Sequence, residues 1–396
     1  MVKAVVRFTK KNHFSLVVFF VLLLMYAIHD VSTSAQAGVK EANRGTAHLY
    51  LIVLIAYMTI VTLKMTKFRL LDDRISYAVF SILIWVCCVN LINGASFWES
   101  MIYIAFSFWW LVVYKFSTFY CLNYYKSAKL FKVIVYMIFI VYVLVNLYSR
   151  FMIMVNFERD NAVTGYIYYV VTFLPFIMLV SNRIWQTILL GILLIMTITS
   201  LKRGAIIVLP LMLIVYFYLQ AKLRNNIVLF FKKMILFVMI LLPVLMIVDS
   251  KSDHFLSARF QSEELQSGSG RDVLYETAIH SIMDRDFVTF FIGTGSGSSV
   301  KLLDTGVHNE WLEILFSFGF MGVILYLSFL ASLIAKFRYL KRIKSEYAPH
   351  FAMVIVYIFM VGLFGAFYWV HSAFFIFLTL GYLNYLEKNE KMKIEK

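Results

Sequence analysis

Apolar runs of roughly bilayer-crossing length recur along almost the whole of this chain. Inside a bilayer the backbone finds no water, so a run that crosses must close its own hydrogen bonds as a helix. Apolar cores fall near residues 14–29, 46–63, 76–93, 100–115, 131–148, 163–182, 184–199, 204–219, 226–248, 311–335, 350–369 and 371–385. The expected fold is therefore an all-α polytopic membrane protein with about 12 transmembrane helices. Hydrophobic residues make up 62% of the 396 and charged residues only 15%, too few to cover a soluble surface of that size. No polar stretch is long enough for a separate soluble domain. Residues 1–396 are read as a single integral membrane domain, with one long loop at 249–310.

The net charge of +15 could point to nucleic acid, but the positions of the charges point elsewhere. Lys3, Arg7, Lys10 and Lys11 flank the first run, and basic flanks stay in the cytoplasm. An even number of crossings then returns the C-terminus, with Lys388, Lys391, Lys393 and Lys396, to the same side. Lys64, Lys67, Arg69 and Arg74 fall in a connection assigned inside. So do Lys115, Lys126, Lys129 and Lys132, and later Lys336, Arg338, Lys341, Arg342 and Lys344. The outer connection at 92–99 has no basic residue. Topology thus accounts for the charge, and no nucleic acid partner is expected. Ala35-Gln36-Ala37 matches a signal-cleavage pattern but lies far beyond the first apolar core, so cleavage is the minority reading. Pro175, Pro210 and Pro243 fall inside runs and are expected to kink helices. Cys87, Cys88 and Cys121 have neither disulfide nor zinc spacing and read as packing residues.

The informative polar residues are on the outer side. Leu201-Lys202-Arg203-Gly204 is a tight outer turn whose two cations oppose the charge bias. They either snorkel to the interface or serve a function there. The 249–310 loop is net acidic and holds Arg259, Arg271 and Arg285. Ser269-Gly270-Arg271-Asp272 has capping-box spacing and predicts a helix opening near Arg271. Leu274, Tyr275, Ala278 and Ile282 would share its apolar face, with Glu276, His280 and Asp284 opposite, so the helix is expected to lie on the membrane. Arg271 would sit in its first turn, placed either for a phosphate group or for an ion pair with Glu263, Glu264 or a nearby Asp. Gly293-Thr294-Gly295-Ser296-Gly297-Ser298-Ser299 lacks the Gly-Lys-Ser/Thr of a P-loop. It reads as a tight bend first and as backbone donors to a ligand second. His308-Asn309-Glu310-Trp311-Leu312-Glu313 enters the tenth run, where a histidine and an acid could form a base and its orienter, or be only solvated. No metal site and no cofactor are expected from these spacings.

The order of these features carries a resemblance. An outer turn with Arg203 comes first, then Arg259 and Ser269-Gly270-Arg271. A Gly-rich segment follows, then His308-Asn309 and a run beginning at Trp311 with Gly319-Phe320-Met321-Gly322 inside it. Over roughly residues 195–335 this resembles the bacterial O-antigen ligase and O-antigen polymerase superfamily. The resemblance implies a glycosyltransferase-C-like membrane architecture in the bacterial plasma (inner) membrane. It implies metal-independent transfer of a glycan from an undecaprenyl-diphosphate-linked oligosaccharide at the outer face. Arg203 matches the family's outer-turn arginine, Arg271 its loop arginine, Arg259 a further one less closely, and His308 the loop-end histidine.

Three functions follow as expectations. The first is an O-antigen or surface polysaccharide polymerase, with His308 as base or acceptor-orienting residue and Arg203, Arg259 and Arg271 on the diphosphate. The second is an O-antigen ligase that transfers polymer to lipid A-core. The third is a lipid-linked oligosaccharide flippase, disfavoured because the runs hold no set of ionisable residues at mid-membrane. Besides the lipid-linked glycan and membrane lipids, a chain-length regulator is a candidate partner.

Overall fold

The computed structural model describes residues 10–35, 44–67, 69–94, 97–123, 125–155, 167–252, 254–258, 260–261, 271–304, 306–365 and 370–394. Every regular element among them is a helix. Six helices contain stretches long and apolar enough to cross a membrane: Leu49–Thr66, Arg74–Ile92, Ala128–Val145, Arg203–Leu223, Ile227–Lys251 and Glu310–Arg342. Four shorter apolar helices accompany them, Ser15–Ile28, Ile167–Met178, Arg183–Thr199 and Ala348–Phe364. The described residues are thus those of an all-helical membrane protein, and six helices among them meet this measure of a span. It divides into two compact units.

The first unit comprises 1–70, 112–209 and 375–396. It contains α1 (Lys10–Ala35), α2 (Arg44–Thr66), the later part of α4 (Phe97–Asn123), α5 (Tyr125–Val155), α6 (Ile167–Val171), α7 (Leu174–Met178) and α8 (Arg183–Thr199). The start of α9 (Arg203–Leu223) and most of α17 (Val370–Ile394) complete it. Aromatic rings fill its core. Phe131 stacks between Phe19 and Tyr382 at 5.8 Å from each, and Phe375 meets Phe173 at 4.6 Å and Tyr142 at 5.7 Å. In lipid, helices associate through close packing and shared hydrogen bonds, and small residues permit the approach. Gly381 of α17 does this: a Cβ there would stand 2.3 Å from the Tyr114 carbonyl of α4. The Thr118 hydroxyl donates to the Gly381 carbonyl at 2.9 Å.

In this unit one apolar run is interrupted and one sequence expectation fails. The run 163–182 is interrupted within its described residues. Its described part is two short helices separated at Thr172–Phe173, with Pro175 in the first turn of the second. Proline lacks an N–H, so it suits a helix start and opposes a continuous one. Lys115 does not lie in a connection. The sequence after it has no breaker, α4 continues to Asn123, and Lys115 is fully buried with its ammonium 5.0 Å from the Tyr114 ring centre. Pro210 and Pro243 do lie inside helices, as expected.

The second unit comprises 71–111 and 210–374. It contains α3 (Arg74–Ile92), the start of α4, the rest of α9, α10 (Ile227–Lys251), α11 (Phe255–Ala258), α12 (Arg271–Met283), α13 (Phe287–Ile292), α14 (Ser298–Leu303), α15 (Glu310–Arg342) and α16 (Ala348–Phe364). The helix α15 organises it, packing against α3, α12, α13, α14 and α16. Asp73 caps α3, accepting from the Ser76 N–H at 2.9 Å. The expected helix does begin at Arg271, although Ser269 and Gly270 of the expected capping box lie outside the described residues. Three residues of its expected apolar face pack on protein. Tyr275, Ala278 and Ile282 pack against Val307, Leu312, Leu315 and Phe316. Glu276, His280 and Asp284 are exposed on the other side, as the periodicity requires.

Candidate functional site

The turn between α8 and α9 carries Arg203. Ser200 closes α8, its hydroxyl donating to the Thr197 carbonyl at 2.6 Å and accepting from the Lys202 N–H at 3.2 Å. Leu201 is buried at φ +54°, left-handed backbone that a leucine adopts only when its surroundings over-determine it. The Lys202 ammonium stands 6.0 Å from the Tyr168 ring centre. Arg203 is half-buried and is the first residue of α9. All of these residues belong to the first unit.

The remaining described candidates belong to the second unit. Arg271 is the first residue of α12, half-buried, and its Nη1 donates to the Phe364 carbonyl in the last turn of α16 at 3.0 Å. An open helix end supplies that acceptor. A guanidinium has five N–H donors in a planar fork, and this bond uses one. Arg259 lies outside the described residues, as do Glu263 and Glu264.

His308 is exposed and adopts φ +56° between α14 and α15. Its neighbour Asn309 caps α15, accepting from the Trp311 and Leu312 N–H groups at 3.0 and 3.2 Å. On its other side Val307 is fully buried against Ala278 and Ile282 of α12. That contact brings the histidine segment onto the helix that Arg271 opens.

Beneath these residues α15 is broken. Gly319 has φ +67° and ψ −171° inside an otherwise helical stretch. The reason is a backbone-to-backbone contact with Gly293. A Cβ on Gly319 would lie 2.4 Å from the Phe291 carbonyl oxygen, and one on Gly293 would lie 2.5 Å from the Gly319 nitrogen. Only two glycines permit that approach at positive φ. Carbonyls around the break accept from outside the helix. Phe316 receives Arg285 Nη1 at 2.7 Å and the Thr294 hydroxyl at 3.0 Å, Ser317 receives the Gly295 N–H at 2.8 Å, and Phe318 receives Trp85 Nε1 at 2.9 Å. Non-helical backbone is tolerated in a membrane helix when protein groups satisfy it in this way.

Arg285 also lies over the Phe316 ring, 4.2 Å from its centre. Burial lowers its pKa from the ordinary guanidinium value, and the group stays cationic. The third loop arginine is therefore a structural pin. On α3, the Asn93 amide donates to the Gly293 carbonyl at 3.2 Å, and Asn90 Oδ1 accepts from the Ser296 N–H at 2.9 Å. The Gly-rich segment is thus a tight bend clamped between α3 and α15, the first of the two readings its sequence allowed. Trp85, Asn90 and Asn93 have no sequence signal that ties them to residues some two hundred positions away. Gly319 does have one, since a glycine within a strongly apolar run weakens it as a helix and needs a packing reason.

Residues 188–327 match the family model described as O-antigen ligase. The matched stretch runs from α8 to the middle of α15 and includes Arg203, Arg259, Arg271, His308 and the Gly319 break. The resemblance to the O-antigen ligase and polymerase superfamily thus holds over that stretch, and it supports a glycosyl-transferring membrane enzyme of this kind. No curated protein matches the chain.

Proposed function

We propose that this protein is a surface polysaccharide polymerase acting at the outer face of the bacterial plasma membrane. It transfers a glycan from an undecaprenyl-diphosphate carrier to a hydroxyl of a second lipid-linked repeat unit. One observation carries the reading: within the family match, Arg203 and Arg271 are each the first residue of a helix. A cation is disfavoured at that end, where the helix dipole is already positive. The same place suits an anion, because the first backbone N–H groups of a helix have no acceptor within it. The chemistry of a guanidinium suits a phosphate at each of these arginines, and we assign Arg203 and Arg271 to the carrier's diphosphate, with Arg259 in support.

The reaction follows from these groups. The acceptor oxygen bonds to the anomeric carbon as that carbon's bond to the diphosphate oxygen breaks, and the electron pair leaves with undecaprenyl diphosphate. The guanidinium groups stabilise negative charge that grows as the bond breaks, and so favour the transition state over the ground state. His308 takes the proton of the attacking hydroxyl. A single displacement inverts the anomeric centre. The arginines meet the phosphate charge themselves, so no step calls for a metal.

Purified protein incubated with undecaprenyl-diphosphate-linked repeat units should produce a ladder of lengthening glycans. Arg203→Ala or Arg271→Ala should abolish extension while the protein stays in the membrane; near-normal polymer from either variant removes its assigned role. His308→Ala should lower turnover with donor binding kept, and a loss of donor binding alone would argue against a base. The description of the matching family as O-antigen ligase favours a second reading, with lipid A-core as acceptor. In the same assay, transfer to lipid A-core with no ladder selects it.

A further inference from the structure

Glu313 is a buried carboxylate one turn into α15, with 7% of its surface exposed. Its two oxygens are shared among three donors from three segments. Oε1 accepts from the Ser299 hydroxyl of α14 at 2.5 Å and from the Ser317 hydroxyl, one turn further along α15, at 3.1 Å. Oε2 accepts from the backbone N–H of Val307 at 3.1 Å. Gly306 passes beside it, and a Cβ there would lie 3.8 Å from Oε2. A carboxylate withdrawn from water is tolerated when hydrogen-bond donors surround it in this way.

The third bond matters for chemistry. Val307 and His308 follow α14 in neither helix nor sheet, and His308 adopts a left-handed φ that a residue with a side chain rarely takes. Such a conformation persists when neighbouring contacts over-determine it. Glu313 holds the N–H immediately before His308, the buried Val307 side chain holds the same residue from the α12 side, and Asn309 holds the chain immediately after. Glu313 reaches the segment through its backbone and not through the imidazole.

We infer that Glu313 is a positioning residue: by fixing the Val307 N–H it sets the place from which His308 meets the acceptor hydroxyl. The inference rests on the reading of His308 as the base. It assigns to Glu313 no proton transfer and no contact with substrate. What the site needs from this side chain is reach, since an acceptor must arrive at Val307. Its negative charge is dispensable, because serine hydroxyls can turn to accept from an amide as readily as they donate to a carboxylate.

Two substitutions in the full-length protein separate reach from charge. Glu313→Gln keeps the reach and removes the charge; Glu313→Asp keeps the charge and shortens the reach. With undecaprenyl-diphosphate-linked repeat units as substrate, Glu313→Gln should retain kcat within about 3-fold. Glu313→Asp should lower kcat about 10- to 100-fold, the scale of a misplaced catalytic group. Donor KM should stay within about 2-fold in both, since neither residue binds the diphosphate. Amide exchange over 306–308, measured without substrate, should quicken about 10-fold in Glu313→Asp and stay unchanged in Glu313→Gln. A Gln variant as slow as Asp, or an Asp variant with normal kcat, overturns the inference. Unchanged exchange in the Asp variant overturns it whatever the activity. If exchange behaves as expected but the wild type extends no glycan, the polymerase reading fails while the hold of Glu313 on the His308 segment stands.

Discussion

The helices α10 and α15 are both long and strongly apolar, and they use that character in opposite ways. Along Ile227–Lys251 no residue is buried, and the side chains of Ile235, Met239 and Met246 stand largely exposed among the described residues. Along Glu310–Arg342 two acids, two serines and two glycines are buried beside the large side chains, and the backbone itself is broken. Lipid tails are as apolar as leucine, so apolar surface has no reason to prefer a protein neighbour over lipid. The difference teaches that in this protein hydrophobicity marks what can cross a membrane, whereas small and polar residues mark what packs and where a site is built.

The contrast can be broken most sharply at Gly319. Gly319→Ala puts a Cβ 2.4 Å from a carbonyl oxygen at a backbone angle that alanine resists. It should cost about 4 kcal/mol or more. The variant is expected to lose most of its folded yield in detergent, and a normal melting temperature would mean that the α13–α15 contact is not structural. Gly191→Ala in α8, where a Cβ meets nothing within 4 Å, serves as the neutral control.

A smaller effect is expected at Arg285. Arg285→Met keeps the bulk over Phe316 but leaves the Phe316 carbonyl with Thr294 as its remaining external donor. Lost hydrogen bonds from a charged group cost about 1.5–3 kcal/mol. Thermal unfolding would show the loss, and under the proposed function glycan transfer would fall with it, because Phe316 shares a core cluster with Val307, the neighbour of His308. Wild-type stability in this variant would remove Arg285 from the account of the break.

A local effect follows at Asp286, which caps α13 by accepting from the Val288 and Thr289 N–H groups at 2.9 and 3.0 Å. Hydrogen bonds from the Thr289 hydroxyl and these N–H groups hold its pKa below the ordinary aspartate value. A depressed folded pKa means that the cap's contribution is complete above the unfolded aspartate pKa and is lost as pH falls through the folded one. Amide exchange in α13 should therefore rise only on acidification past the ordinary aspartate range, and Asp286→Asn, which has no carboxyl to protonate, should abolish that onset. The least effect is expected on α10. Leu236→Ala or Met239→Ala should change stability by at most about 0.5 kcal/mol, and a large loss would show that the helix has a protein partner.

Some of the site was legible in the residues. The helix start at Arg271, the apolar face of α12 and the histidine at the mouth of α15 follow from capping and periodicity, which are local. The interrupted 163–182 run was half legible: Pro175 signals a disturbance, but whether a proline kinks a helix or splits it depends on what neighbours the freed carbonyls find. The burial of Lys115 was not legible, because a lysine near the end of an apolar run reads as a topology marker wherever neighbouring helices are unknown. Nor was the division of labour among the loop arginines, since Arg271 and Arg285 differ only in which carbonyls they reach.

The amino-acid order by itself determined that this chain is helical and crosses a membrane, and which residue types are available for phosphate and proton chemistry. Those properties depend on composition and on spacing over a few turns. Tertiary structure alone decided that Gly293 and Gly319 touch, that Trp85 and Arg285 satisfy the opened helix, and that Glu313 holds the segment bearing His308. Each depends on which distant donor arrives at which carbonyl or carboxylate, and hydrogen bonds of about 3 Å are set by three-dimensional position rather than by separation along the chain.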